Sequence, residues 1–128
     1  MSEHNEQSAL FQWAKQMQSK HPELCFMYAI PNGEARPRKQ NKKGQWYSPS
    51  AQRLKDEGVK AGVLDIHLPA ARGGYHGLWI EMKFGKNGLT DNQRGWQLGL
   101  EWMGHKTVVC YNWLEASQCI VDYLEEQP

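Results

Sequence analysis

Two apolar runs, each interrupted by charge, constrain this chain more than anything else in it. The first is Val63-Leu64-Asp65-Ile66-His67-Leu68, and the second, after a Gly-rich connection, is Gly77-Leu78-Trp79-Ile80-Glu81-Met82-Lys83. Both have strand length and composition, and together they read as a hairpin. Alternate side chains of a strand share a face, so Glu81 and Lys83 point one way while Ile80 and Met82 point the other. If Leu68 lies opposite Leu78, the antiparallel register carries Asp65 opposite Glu81, and directly opposed residues hold their Cβ atoms roughly 5 Å apart. Two carboxylates that close repel each other unless a cation sits between them. Asp65 also breaks an apolar run, where a charge is costly unless paired or metal-bound. An E-x-K alone suits the solvated face of any antiparallel strand. With Asp65 added, the pattern offers two hard oxygen ligands for a divalent ion and an ammonium beside them, a constellation that suits phosphodiester cleavage.

At 128 residues the chain is expected to form one domain, 1–128, large enough for a core without disulfide or metal staples. No run approaches the roughly 18 apolar residues of a membrane span, and the first residues lack the basic-then-apolar start of a signal peptide. The expectation is a cytoplasmic protein. Cys25, Cys110 and Cys119 lie in apolar segments at spacings unlike any zinc motif, so buried, reduced thiols are expected. The formal charge of +1 gives no overall attraction to nucleic acid, but Arg36, Arg38, Lys39, Lys42, Lys43, Arg53 and Lys55 follow one another with no acid between Glu34 and Asp56.

The flanking segments supply helices and further strands. Residues 2–20 read as an amphipathic helix through Leu10, Trp13, Ala14 and Met17, with acids in the first turn, where the helix dipole favours them. Glu3, Gln7 and Leu10 share an edge of it and Glu6 lies close by, so a carboxylate from this helix could reach the hairpin site. Pro22 ends the helix, and Leu24–Ile30 reads as a short buried strand. From Glu34 to Tyr47 periodicity disappears. The basic residues there suit phosphate contacts and Trp46 suits stacking on bases or sugars, although a solvated loop folded back on the core fits equally. A short helix follows Ser48-Pro49, and the connection 69–77 is too long for a tight turn. Thr90 is a good N-cap for a helix running to about Met103, with Trp96, Leu100 and Met103 as its apolar face. Near its start, Gln93 could hydrogen-bond water or a phosphate. The glycines of Phe84–Thr90 lack phosphate-loop spacing. Lys106–Tyr111 has a central-strand composition, and a last helix covers 113–125. The histidines form no ligand spacing; His67 shares a face with Asp65 and could support the site from behind, and the others read as surface.

The segments Gly58–Ile66 and Gly77–Lys83 followed by Leu89-Thr90-Asp91-Asn92-Gln93, in the order helix, strands, helix, strand, helix, resemble the PD-(D/E)XK nucleases and, more narrowly, the small stand-alone VRR-NUC domains of phages and bacteria. The similarity takes in Glu3, Gln7 and the Pro31-Asn32-Gly33 turn. It departs at Leu64, where the family usually has proline, a change that alters strand geometry more than metal chemistry. The resemblance implies an α/β, restriction-endonuclease-like core, with a mixed central β-sheet flanked by α-helices, and a homodimer acting on branched DNA such as four-way junctions. A two-fold dimer would present paired active sites to such a junction.

Residues and resemblance together lead to a metal-dependent, structure-selective DNA endonuclease. Asp65, Glu81 and the Met82 carbonyl would hold Mg²⁺ or Mn²⁺; Lys83 would orient or deprotonate the attacking water; Glu3 and Gln93 would complete the site; and Arg36, Arg38, Lys39, Lys42, Lys43 and Trp46 would bind substrate. The alternatives are a flap or single-strand-end nuclease using the same site, and a non-catalytic junction-binding protein.

Overall fold

In the computed structural model, residues 2–31, 39–40, 42–47 and 49–128 are described, with Lys39, Trp46 and Tyr47 described by backbone alone. The site is positioned by a four-stranded sheet in the order β1-β4-β5-β6, built from β1 (Tyr28–Ala29), β4 (Ile66–Leu68), β5 (Leu78–Met82) and β6 (Lys106–Cys110). The first three run antiparallel to their neighbours, and β5 pairs parallel with β6. Parallel neighbours need a crossover, which α3 (Asp91–Trp102) provides. A separate hairpin pairs β2 (Lys39–Gln40) with β3 (Trp46–Tyr47), so the segment without periodicity holds two short strands. The remaining helices are α1 (Glu3–Gln16), α2 (Pro49–Asp56) and α4 (Trp113–Leu124).

Strand alternation divides the sheet into a dry face and a chemical face. Ile66, Leu68, Leu78, Ile80 and Met82 project to one side, where Leu10 and Ala14 of α1 and Ala116, Ile120 and Tyr123 of α4 close over them. Each such aliphatic side chain contributes about 1.5–3 kcal/mol on burial, so this layer fixes the register. Any one-residue slip would turn it to water. The observed register sets Leu68 against Leu78 and Ile66 against Ile80, as the alternation predicts. Asp65, His67, Trp79 and Glu81 therefore share the opposite face, over which α3 lies.

Helix ends follow the side chains available. Ser2 Oγ accepts from the Asn5 N–H, and Asn112 Oδ1 accepts from the Glu115 N–H at 2.8 Å. Thr90 caps α3 as expected, in a full capping box: its hydroxyl accepts from the Gln93 N–H at 3.2 Å and the Gln93 amide oxygen accepts from the Thr90 N–H at 2.9 Å.

Several expectations are corrected. The first helix stops at Gln16, with turns over 17–20. Leu24–Ile30 is not a buried strand: Pro22–Phe26 forms a 3-10 turn that buries Leu24 and leaves Cys25 and Phe26 outward, and only Tyr28–Ala29 pair with β4. Cys25 is accordingly an exposed thiol, whereas Cys110 is buried and Cys119 half-buried, their sulfurs 4.0 Å apart. Burial, then the neighbouring Cys119, pushes the Cys110 thiol far up, which keeps it inert. β6 lies at the edge of the sheet among the described residues, despite its central-strand composition. Met103 is exposed, leaving Leu100 as the one fully buried apolar side chain of α3. The connection 69–77 does contain a tight turn: Arg72 bridges Tyr75 across Gly73 and Gly74, whose φ of 57° and 85° explain the glycine pair. No helix among the described residues is long and apolar enough to cross a membrane.

Candidate active site

The sheet ends its antiparallel pairing where the chemistry begins. β4 starts at Ile66, so one rung earlier the carboxylate of Asp65 takes up a backbone donor of the neighbouring strand: its Oδ2 accepts from the Met82 N–H at 3.0 Å. The Asp65 carbonyl meanwhile accepts from the Ile30 N–H at 2.7 Å. Held at both ends, Asp65 faces Glu81 closely enough for the two carboxyls to interact directly. Leu64 is almost fully buried, so its side chain acts as packing that anchors the backbone before Asp65.

Glu81 is 3% exposed and Lys83 8%. The Lys83 Nζ stands 3.7 Å from Glu81 Oε2, and the Gln93 amide donates to the same oxygen at 3.0 Å. Gln93 thus uses its oxygen to cap α3 and its nitrogen to hold Glu81, tying the helix start to the strand end. The other Glu81 oxygen, Oε1, is buried with no hydrogen-bond partner. Burial, and after it the charge of Asp65, pushes the Glu81 carboxyl up to about 8, against the lowering effect of Lys83. Asp65 is also raised, chiefly by burial, with the Met82 N–H opposing and Glu3 adding repulsion.

Two neighbouring carboxyls raised chiefly by burial and one oxygen without a donor describe a site that favours a cation. Among the described residues no group of three or more His, Cys, Asp or Glu side chains could hold a metal ion. Two carboxylates nonetheless match the way Mg²⁺ binds, through one or two carboxylates with waters and substrate oxygens filling the octahedron. The residues therefore fit the ion.

The first helix separates its two acids. Glu3 lines a cavity of about 680 Å³ with Asp65, Gln7 and Phe11. Glu6 faces away from it, is 8% exposed, and accepts from the Trp113 N–H at the start of α4 at 3.4 Å. Its role is structural, a negative charge at a helix N-terminus. Phe11 and Ser8 were not singled out from sequence, although the spacing Glu3, Gln7, Phe11 carries the signal of one helical stripe. Leu10, read as sharing the Glu3 edge, is instead fully buried in the core.

The remaining expected residues lie partly at the site and partly away from it. His67 accepts or donates to the Tyr28 hydroxyl at 2.7 Å and stacks on Trp79 at 4.0 Å, and burial holds it below its usual value, hence neutral. His105 joins this row rather than the open surface, its Nδ1 buried. Met82 enters the site through its N–H. Lys42 and Lys43 are exposed. Arg36 and Arg38 lie outside the described residues, as do the side chains of Lys39 and Trp46.

Fold and site define a class: an α/β domain whose central hairpin sets an aspartate against an E-x-K strand, with a helix glutamine bonded to the glutamate. A comparison with solved structures finds a similar fold. The chain is similar to a structure titled "VRR_NUC domain protein", with a TM-score of 0.77 and 27% identity, over 98% of this chain and 89% of that one. The likeness supports a VRR-NUC domain here. No family model matches the sequence, and neither does any curated protein.

Proposed function

We propose that this chain is a nuclease, and more specifically a metal-dependent, structure-selective DNA endonuclease that resolves four-way (Holliday) junctions as a homodimer. The likeness to a VRR_NUC domain protein supports the nuclease class. The observation that carries the metal reading is the buried, unpartnered Oε1 of Glu81 beside Asp65. Leaving a buried acceptor unpaired is costly, and a divalent ion removes that cost.

When bound by Asp65 and Glu81, Mg²⁺ or Mn²⁺ supplies Lewis-acid charge at the scissile phosphate and acidifies water. The chain's own groups do the rest. The Met82 N–H fixes the Asp65 carboxylate, and Gln93 fixes Glu81, so neither ligand has to be ordered during the reaction. The Lys83 ammonium, held beside Glu81, places positive charge against a phosphate oxygen and can orient the attacking water by donating to it, whereas accepting that water's proton would require the neutral amine. Glu3 faces the same cavity and extends its acidic wall. Among the described residues no element presents a helix built to read a major groove, so selectivity rests on DNA shape and backbone contacts, with Lys42 and Lys43 among the cations available to phosphates.

Labelled four-way junction, flap and plain duplex, incubated with the protein and Mg²⁺, test the substrate. Paired cuts in the junction with the duplex spared support the reading. Preferential cutting of flaps moves the assignment to end-processing, and binding of the junction without cleavage under Mg²⁺ or Mn²⁺ overturns the enzyme.

A further inference from the structure

The exposed face of α3 has features that packing within one chain does not explain. Trp102 is 87% exposed and Leu98 58%, one turn apart, with Met103 beside them at 52%. On the same face lie Gly95 and Gly99, in mid-helix, where a Cβ at either would meet nothing within 4 Å. Neither adopts positive φ. Glycine is among the poorest residues for a helix interior, and here neither a turn nor close packing requires it.

A second copy accounts for all four residues. If two α3 helices pack antiparallel about a two-fold axis midway between residues 98 and 99, residue i of one helix meets residue 197 − i of the other. Trp102 then falls over the partner's Gly95, and Leu98 over the partner's Gly99. Each large apolar side chain meets a hollow, as an isologous interface demands.

The strand next to this helix supplies an independent argument. β6, Lys-Thr-Val-Val-Cys, is an edge strand among the described residues, and beyond Lys106 it lacks the prolines and charges that usually guard an edge. α3 packs against it, with the Thr107 hydroxyl donating to Glu101 at 2.6 Å, so the open edge and the apolar helix face adjoin. A tryptophan buries about 150–250 Å² and a stable interface needs about 800 Å² per partner. The helix face alone falls short of that, so a stable interface through it has to take in the adjoining β6 edge as well.

We infer that the α3 face of Gly95, Leu98, Gly99 and Trp102, extended by the β6 edge, is the surface through which two copies of this chain associate. The inference extends the dimer half of the function proposed above by naming its face. Sedimentation velocity of the full chain, without metal or DNA, tests it independently of any cleavage. The wild type sediments as a dimer across the micromolar range, and Trp102→Glu weakens the dimer at least ~30-fold, the size of an interface hot spot, with unchanged circular dichroism. Gly95→Gln separates this role from a purely local one. It raises the thermal midpoint of the monomer, because glutamine is the better helix former, yet splits the dimer by filling the hollow. A monomeric wild type overturns the inference, as does a dimer that survives both substitutions. A monomeric wild type whose Trp102→Glu variant loses junction binding would likewise overturn it, assigning the face to DNA. A nuclease assay that fails while the dimer behaves as described removes the proposed function and leaves this surface standing.

Discussion

The pair of crowded carboxyls makes a thermodynamic prediction that needs no substrate. Glu81 sits at about 8, against an ordinary 4.5. Its folded-state value is raised, so the native protein keeps a proton that the unfolded chain has already lost. Stability of the metal-free protein therefore falls as pH rises from about 4.5 to about 8 and levels off above that. At 1.36 kcal/mol per pH unit the upper bound is ~5 kcal/mol, and with relaxation and the nearby ammonium of Lys83 the expected loss is ~2–3 kcal/mol. For a chain of this size that is a fall in melting temperature of roughly 5–10 °C. Glu81→Gln keeps the shape and removes the ionisation, so in EDTA it should flatten the curve and be the more stable protein at the alkaline end. Mg²⁺ binds the ionised site, so it should raise the wild-type midpoint more at pH 8 than at pH 6 and leave the variant unmoved. Differential scanning fluorimetry over this range, with and without Mg²⁺, reads all three effects. A wild-type midpoint that does not fall relative to Glu81→Gln as pH rises would refute the electrostatic reasoning.

Further substitutions separate roles that the sequence leaves together. Glu3→Gln should lower cleavage with little change in stability, while Glu6→Ala should leave the metal dependence of cleavage intact and cost about 1 kcal/mol, the worth of a helix cap; denaturant melts and kinetics in parallel distinguish them. Gln93→Ala removes both the capping box and the donor to Glu81, and should destabilise α3 by about 1 kcal/mol and weaken Mg²⁺ binding about 10–100-fold by titration calorimetry. Leu64→Ala should cost about 2–5 kcal/mol in urea unfolding, as expected for a fully buried leucine, which tests whether this position serves packing.

The central hairpin was legible because its information is local. Alternation fixes which side chains share a face, and the match of Ile66 and Leu68 with Ile80 and Leu78 fixes the register, so Asp65 and Glu81 come together without knowledge of the rest. Thr90 and Gln93 were legible for the same reason, since a cap is read within one turn. The short apolar run Leu24–Ile30 was not, because strand and helical turn are indistinguishable at that length, and Pro22 at the first position decided for a 3-10 turn. The place of β6 at the edge depends on how many strands lie beyond it, which its own residues do not encode. The choice between Glu3 and Glu6 was set by the packing of α1 against α4, where Glu6 meets the Trp113 N–H. His105, read as surface, is drawn inward by stacking contacts with residues distant in sequence.

The account rests most heavily on hydrolysis by the Asp65, Glu81 and Lys83 cluster, and the most direct test is cleavage of a labelled four-way junction by wild type, Glu81→Gln and Lys83→Ala in Mg²⁺ and in EDTA. The account predicts cutting by the wild type in Mg²⁺ alone, with a loss of at least ~100-fold in both variants, whose folds are retained. Cutting in EDTA, or equal cutting by Lys83→Ala, would contradict it.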